Sequence, residues 1–190
     1  MAKTPKDDSR YEDLNIVLKE TQKCSGILKN LLNSIKVQPL TITQTNVRSF
    51  VKETVQLLEK KFEEKKLVLN LSMPQDPPEA SMDFLRLRQV IINVLLNSIQ
   101  STPEGGKVDF TVGLSEADGK KELNFTVEDN GEGMPKEYVD KVFEPFFSMR
   151  KQGTGLGLFT SRLITEAHGG SISFESEVKK GSKCVIKIPV

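Results

Sequence analysis

The sequence predicts a two-layer α/β sandwich with a mixed, largely antiparallel sheet over residues 40–190. Pairs of segments alternate apolar and polar residues with a period of two, and a glycine-containing turn joins the members of two such pairs. Helical segments lie between the pairs. Each strand is apolar on one face only, so helices are expected to cover that face. A chain of 190 residues is long enough for one such domain and a short appendage.

The first 39 residues differ in pattern from the rest of the chain. Residues 1–10 are polar and are predicted to form a disordered tail. Residues 11–37 are predicted to form one helix, because apolar residues from Tyr11 to Ile35 recur at spacings of three and four and Pro39 follows. One helix cannot bury such a stripe alone, so we expect a partner helix, most simply from a second copy of the chain.

Two helices and one strand are predicted over the first part of the sandwich. Asn46 is a candidate N-cap for a helix that runs to about Lys66, and residues 67–71 alternate as a strand. A proline-rich, turn-forming segment occupies residues 73–78. The segment Phe84–Ser101 is strongly apolar and has the periodicity of a helix.

Four further strands form two predicted hairpins, with two helices between them. The predicted segments, in chain order, are strands over 108–114 and 123–127, a short helix over about 136–142, a helix over about 157–168, and strands over 172–174 and 184–188. Asp118-Gly119 and Lys180-Gly181 are the predicted turns of the two hairpins.

Composition excludes several classes of function. The chain has 27 Lys and Arg against 26 Asp and Glu, and a net charge of +1 gives no reason to expect a nucleic acid as partner. Two distant cysteines and a single histidine, His168, argue against a structural zinc site or a multi-histidine metal centre. The longest apolar stretch is far shorter than the roughly 20 residues that cross a bilayer, and we expect a soluble, cytoplasmic setting.

The helix predicted at 84–101 carries a polar stripe on an otherwise apolar surface. Its members fall three or four residues apart: Arg86, Gln89, Asn93, Asn97 and Gln100. Asparagine is a poor helix former, so Asn93 and Asn97, one turn apart, indicate a polar cavity rather than solvent. Their amide oxygens are suitable ligands for Mg²⁺. The alternative is an exposed face with two incidental asparagines.

A carboxylate and two glycines follow the strand predicted over 123–127. These residues are Asp129, Gly131 and Gly133. A carboxylate at a strand end can accept a hydrogen bond from an exocyclic amine such as that of adenine, and glycines permit close approach and positive φ. The alternative is an ordinary Asn-Gly turn.

A glycine-rich loop leads into the helix predicted at 157–168. The loop reads Gly-Thr-Gly-Leu-Gly-Leu from Gly153 to Leu158, and backbone N–H groups at a helix N-terminus bind anions such as phosphate. Neither the phosphate-loop pattern nor the dinucleotide-binding pattern is present. An ordinary short glycine loop is the alternative.

Aromatic and basic residues stand just before the glycine-rich loop. The three phenylalanines Phe143, Phe146 and Phe147 could anchor the base of a mobile lid. Arg150 or Lys151, which follow them, could then reach phosphate oxygens. The alternative is a surface loop with aromatic anchors in the core.

The four motifs, in this order, resemble the N, G1, F and G2 boxes of the GHKL ATPases. The match is closest to the catalytic ATP-binding domain of two-component sensor histidine kinases and covers residues 40–190. The resemblance implies the GHKL fold, with ATP and Mg²⁺ as ligands. Residues 11–37 are similar, more loosely, to the second helix of the family's dimerisation and phosphotransfer hairpin, which implies a possible homodimer.

The resemblance implies a role for each matching residue. Asn97 would be the principal Mg²⁺ ligand with Asn93 assisting, and Asp129 would recognise the adenine amino group. Three residues would shape the adenine pocket: Gly131, Gly133 and Met134. The residues that would lie around the phosphates are Arg150, Lys151, Gly153, Thr154, Gly155, Leu156, Gly157 and Leu158. Asn93, Asn97 and Arg150 would be the catalytic residues.

The resemblance also implies phosphoryl transfer to a histidine outside this chain. Hydrolytic relatives usually carry Glu at the position of Asn93, and an amide cannot act as a general base. His168 matches a structural turn, so we expect a fragment that lacks the sensor and the first helix of the hairpin. A phosphoacceptor histidine hairpin and a response regulator are the expected partners. The expected location is the cytoplasm, either free or as the cytoplasmic part of a membrane-bound sensor. Gln100 and Ser182 depart from the family's usual residues. The alternatives are a nucleotide-regulated binding module without catalysis and a serine kinase of the anti-sigma type.

Overall fold

A computed structural model describes residues 11, 13–21, 26, 39–117, 119–150 and 153–190. The chain divides into two compact units, Met1–Pro39 and Leu40–Val190. In the first unit, residues 11, 13–21 and 26 are helical, and the Thr21 hydroxyl donates to the Val17 carbonyl at 2.7 Å. The predicted tail over 1–10 and much of the predicted helix over 11–37 lie outside the described residues and stay predictions.

The described part of the second unit forms seven strands and five helices. They are, in chain order, β1 (Thr43–Asn46), α1 (Val47–Gln56), α2 (Glu59–Glu64), β2 (Val68–Ser72), β3 (Glu79–Met82), α3 (Phe84–Ser101), β4 (Lys107–Ala117), β5 (Lys120–Asp129), α4 (Lys136–Val139), α5 (Gly157–Ala167), β6 (Ser171–Glu177) and β7 (Gly181–Pro189). Among the described residues, no helix combines the length and the apolar character that a membrane crossing requires.

Five strands form one mixed sheet in the order β2-β4-β5-β7-β6. Only the β2–β4 pair is parallel, and the other three pairs are antiparallel, which confirms the predicted sheet. Strand β5 lies in the middle. Its last residue, Asp129, stands opposite Val108 on one side and Ser182 on the other, so this carboxylate is held by strands on both sides.

The core joins the apolar face of this sheet to helices α1, α3 and α5. Phe50 from α1 packs edge-on against Phe125 of β5, with ring centroids 5.9 Å apart, and both rings are fully buried. Phe110 of β4 lies beside Phe125. Burial of a large apolar side chain contributes roughly 1.5–3 kcal/mol, so these contacts fix the helices on the sheet.

The helix predicted from Asn46 to Lys66 is two helices. Asn46 does cap the first, since its side chain accepts the N–H of Ser49 at 3.0 Å. The helical hydrogen-bond pattern then breaks. The Leu58 N–H donates to the Val55 carbonyl, three residues back, whereas an α-helix would pair it with the carbonyl four residues back. This tighter turn leaves Leu57 exposed and Leu58 buried.

Other elements also differ from the prediction. Strands β1 and β3 were not predicted, because small polar residues give them weak alternation; they form an antiparallel ribbon of their own. Helix α4 ends at Val139 rather than near Val142, and the chain continues in turns. Helix α3 begins and ends as predicted, with the Asp83 side chain accepting the N–H of Arg86 at 3.0 Å as its N-cap.

Candidate functional site

A cleft of about 800 Å³ lies between α3, the end of β5, the segment after α4 and the start of α5. It is lined by these predicted site residues: Asn93, Asn97, Asp129, Gly133, Met134, Arg150, Gly153, Thr154, Gly155, Gly157 and Leu158. Gly131 and Leu156 are adjacent in sequence to lining residues but do not line it themselves. Lys151 lies outside the described residues.

The polar stripe of α3 divides into two parts. Asn93, Asn97 and Gln100 line the cleft, whereas Arg86 and Gln89, nearer the start of the helix, do not. The structure therefore supports a polar cavity at the second half of α3 only.

Asn93 connects α3 to the first turn of α5. Its amide nitrogen donates to the Gly157 carbonyl at 3.3 Å and to the Ser161 hydroxyl at 3.4 Å. The Asn93 amide carbon would lie 3.8 Å from a Cβ at Gly157, with nothing nearer, so space remains in front of this helix start. With its nitrogen engaged, the amide oxygen of Asn93 is the atom that can meet a cation.

Asp129 is a buried carboxylate in the wall of the cleft, only 5% exposed. Its oxygen accepts the backbone N–H of Gly131 at 3.0 Å. Burial raises the pKa of Asp129, and hydrogen bonds from the Gly131 N–H, the Ser98 hydroxyl and the Ser182 N–H act in the opposite direction. The group is thus a desolvated acceptor held in place by three donors.

The two glycines after Asp129 permit close backbone contacts. Gly133 has φ +63°, and a Cβ there would lie 1.9 Å from the carbonyl oxygen of Glu177. A Cβ at Gly131 would lie 2.6 Å from the Ser101 carbonyl oxygen. Gly131 therefore lets the strand end pass the C-terminus of α3, behind the cleft wall rather than in it.

The glycine-rich loop is tied to the segment that precedes it. Phe146 donates its N–H to the Gly155 carbonyl at 3.0 Å, and Gly155 has φ +66° with no room for a side chain against Phe146 and Phe147. Leu156 is the residue before α5, and its carbonyl accepts the Thr160 N–H at 2.9 Å. Residues on both sides of Leu156 face the cleft.

The aromatic anchors of the predicted lid are only partly as expected. Phe147 is half-buried in the cleft and packs near Tyr138, with ring centroids 5.9 Å apart. Phe146, in contrast, is 45% exposed and has φ +67°, so it does not anchor the segment. The buried apolar contact is made by Val142, four residues earlier.

Arg150 reaches from this segment to the end of α3. Its Nη2 donates to the Asn97 carbonyl at 3.3 Å, and its Nη1 donates to the side-chain oxygen of Gln100. Partial burial lowers the pKa of Arg150, and the negative charges of Glu132 and Asp129 oppose that shift. The guanidinium keeps its charge at the mouth of the cleft.

His168 has both ring nitrogens engaged away from the cleft. Its Nδ1 lies 2.8 Å from the Ile164 carbonyl, which fixes that nitrogen as the donor, and its Nε2 accepts the Asp83 N–H at 3.0 Å. The ring caps the end of α5 and contacts the start of α3, as expected for a structural residue.

Comparison with known proteins assigns the chain to a family. The family model described as "Histidine kinase-, DNA gyrase B-, and HSP90-like ATPase" matches residues 82–190, more than half of the chain. The chain belongs to this ATPase family. The matched segment contains α3, both glycine motifs and Arg150.

Curated relatives are sensor kinases. The chain is 28% identical to the sensor histidine kinase ZraS of Escherichia coli (strain K12), over 99% of this chain and 40% of that protein. It is 31% identical to sporulation kinase A of Bacillus subtilis (strain 168), over all of this chain and 30% of that protein. The chain thus spans less than half the length of these curated relatives.

Solved structures of histidine kinases share the fold. The catalytic domain of histidine kinase ThkA matches with TM-score 0.70 and 30% identity, over 79% of this chain and 96% of that domain. Full-length ShkA in complex with AMPPNP matches with TM-score 0.70 and 26% identity, over 80% of this chain and 32% of that one. ThkA in complex with the response regulator TrrA matches with TM-score 0.69 and 27% identity, over 98% of this chain and 52% of that one. The fold is that of histidine kinase catalytic domains, as predicted.

Three residues at the cleft had no role in the sequence prediction. Gln100 holds Arg150, and Ser98 and Ser182 donate to Asp129 through a hydroxyl and a backbone N–H. Ser98 could have been suggested by its place one residue after Asn97, on a helix already assigned to the cavity. The Gln100 contact has no local signal, because its partner is 50 residues away.

Proposed function

We propose that this chain binds ATP with Mg²⁺ and donates the γ-phosphate to a histidine that lies on a helical hairpin and is not among the chain's own 190 residues. The observation that carries the proposal is the convergence, in one cleft, of a buried carboxylate, an asparagine pair, a glycine-rich helix start and an arginine. ATP binding fits the family of ATPases to which the chain belongs.

The adenine base would lie against Asp129. A carboxylate that is 5% exposed and still faces the cleft is a strong acceptor for an exocyclic amine, because little water competes. Gly133 and Met134, which also line the cleft, would contact the base, and Gly131 would support the wall behind it.

The phosphates and the metal would lie at the opposite end. Asn97 and Asn93 offer amide oxygens, which are ligands that Mg²⁺ accepts, and the open space at Gly157 fits phosphate oxygens. Bound Mg²⁺ would supply charge neutralisation for the phosphates. Backbone groups of Gly153 to Leu158 would hold the phosphates, and Arg150 with Lys151 would provide positive charge.

The same residues favour transfer over hydrolysis. An amide at Asn93 cannot remove a proton from water, so the chain's contribution is to position the nucleotide and neutralise its charge. His168 is not the acceptor, because both its nitrogens are engaged in backbone contacts.

The acceptor would come from a hairpin whose second helix is residues 11–37, with 1–10 as a tail and 40–190 as the catalytic domain. Two copies would dimerise through that helix, and a response regulator would receive the phosphate, as the ThkA–TrrA complex suggests for this class of kinase. The reaction would take place in the cytoplasm, with the chain either free there or as the cytoplasmic part of a membrane-bound sensor.

Incubation with γ-labelled ATP and Mg²⁺, with and without the phosphoacceptor hairpin of a related sensor kinase, tests the proposal. The expected result is acid-labile label on the hairpin, and no labelled protein when the hairpin is left out. Acid-stable label would indicate a serine kinase instead. Tight ATP binding without label on any acceptor hairpin would indicate a binding module.

A further inference from the structure

Gln100 lies where the segment that carries Arg150 meets the last turn of α3. The Arg150 guanidinium makes two hydrogen bonds there, one to the side-chain oxygen of Gln100 and one to the carbonyl of Asn97. Because a guanidinium presents its donors in a rigid plane, two bonds fix both its position and its tilt.

Lys65 holds the other side of the same helix end. Its ammonium donates to the carbonyls of Ile99 at 2.7 Å, Gln100 at 3.1 Å and Thr102 at 2.5 Å. These carbonyls are among those that a helix leaves unpaired at its C-terminus, where a cation is also favoured by the helix dipole. The backbone beneath Gln100 is therefore fixed, and its side chain extends from a rigid base.

The chemistry of Gln100 suits a group that must hold a cation without neutralising it. Glu132 and Asp129 also attract Arg150 across the cleft, and a carboxylate partner would cancel its charge. A neutral amide oxygen accepts the hydrogen bond and leaves the positive charge available. Two of the guanidinium's five donor hydrogens are enough for the contacts with α3, and the others can meet an anion.

We infer that Gln100 is a positioning residue for Arg150, which it holds at the cleft so that the arginine meets the phosphate groups of bound nucleotide. The inference rests on the proposed function, in which ATP occupies this cleft. It adds that phosphate recognition depends on a neutral residue of α3 as well as on the arginine.

The test measures dissociation constants for ATP, ADP and adenosine in the presence of Mg²⁺. Four proteins are compared: wild type, Gln100→Ala, Arg150→Ala and the double variant. Gln100→Ala is expected to weaken ATP binding by about threefold to tenfold, the size of one net hydrogen bond, and to leave adenosine binding unchanged. In the Arg150→Ala background it is expected to have no further effect. Gln89→Ala, an exposed residue of the same helix outside the cleft lining, is the matched control.

Three results would overturn the inference. They are an unchanged ATP constant in Gln100→Ala, an equal loss for adenosine, and additive losses in the double variant. Because Gln100 is exposed, the thermal unfolding temperature of Gln100→Ala is expected to equal that of wild type, so that a loss of ATP binding does not come from a weakened fold. If wild type binds no ATP, the proposed function fails; if Arg150→Ala weakens ATP binding and Gln100→Ala does not, only this inference fails.

Discussion

His168 Nε2 lies 3.0 Å from the backbone nitrogen of Asp83 and accepts its N–H. The residue that ends α5 is thereby joined to the N-cap of α3, because the Asp83 side chain accepts the N–H of Arg86 in the first turn of that helix. The two helices that this bond connects are the ones that carry the asparagine pair and the glycine-rich start. The chain's single histidine therefore maintains the geometry of the cleft rather than its chemistry.

His168→Ala is expected to lower the free energy of unfolding by about 1–3 kcal/mol, since it leaves the Asp83 N–H without its acceptor and removes the bond from the ring to the Ile164 carbonyl. Denaturant unfolding measures this change. Glu166→Ala, two residues earlier and exposed, is the control and should cost much less, because surface ion pairs such as Arg162–Glu166 contribute little. Equal stability of His168→Ala and wild type would contradict the structural role.

Asp129→Asn is expected to stabilise the ligand-free protein near pH 7 and to weaken ATP binding by roughly tenfold or more. Burial raises the pKa of Asp129, so its ionised form is less favourable in the folded than in the unfolded state. The resulting loss of stability is absent below the ordinary pKa of 3.8 and grows as the pH rises through the raised pKa. Unfolding curves from pH 3 to pH 8 should therefore show a stabilising effect that disappears in acid.

Asp109→Asn is a control for which the change in the free energy of unfolding is expected to have the opposite sign. Hydrogen bonds from Asn70 and Lys107 lower the pKa of Asp109, so its carboxylate adds stability above pH 3.8 that is lost as the pH falls through the lowered pKa. This substitution should destabilise slightly at pH 7 and leave ATP binding intact. If both substitutions changed the stability at pH 7 in the same direction, this would contradict the buried setting of Asp129 or the hydrogen-bonded setting of Asp109.

Gly133→Ala is expected to destabilise the protein and reshape the cleft, because its φ of +63° alone costs a residue with a Cβ about 1–2 kcal/mol and the Cβ would overlap the Glu177 carbonyl. Gly113→Ala is the matched glycine control, since nothing lies within 4 Å of a Cβ there. Thermal unfolding and adenosine binding compare the two. Equal tolerance of both substitutions would show that the close approach at Gly133 is not required.

Asn93→Glu is expected to increase the release of free phosphate from ATP by at least about tenfold, because a carboxylate can accept a proton from water where an amide cannot. Asn93→Gln changes the length of the side chain without adding a base, and it should show no such increase. Phosphate release under single-turnover conditions measures both. No increase in Asn93→Glu, with ATP still bound, would mean that this position does not face the attacking water.

The accuracy of the sequence prediction followed the strength of the local signal. Helix α3 was predicted to the residue, because its apolar face is long and continuous. Strands β1 and β3 were missed, since pairing between them, and not apolar alternation, holds these short polar segments. The break at Leu57 and Leu58 was missed because the apolar periodicity continues across it.

The same distinction applies to the cleft. Asn93, Asp129 and the glycine motifs stand out because each residue type is unusual in its local setting. Phe146 was misjudged as an anchor, because aromatic residues usually lie in the core, whereas here a positive φ turns it toward solvent. The contact between Gln100 and Arg150 depends on how the lid segment folds back over α3, which no local pattern encodes.

The fate of the γ-phosphate distinguishes phosphoryl transfer from hydrolysis. In a single turnover of labelled ATP with Mg²⁺ and a phosphoacceptor hairpin, we expect most of the consumed label to appear on the hairpin as acid-labile phosphate, and we expect Asn97→Ala to abolish the transfer. Label recovered mainly as free phosphate, or transfer that persists undiminished in Asn97→Ala, would contradict the proposed phosphoryl transfer.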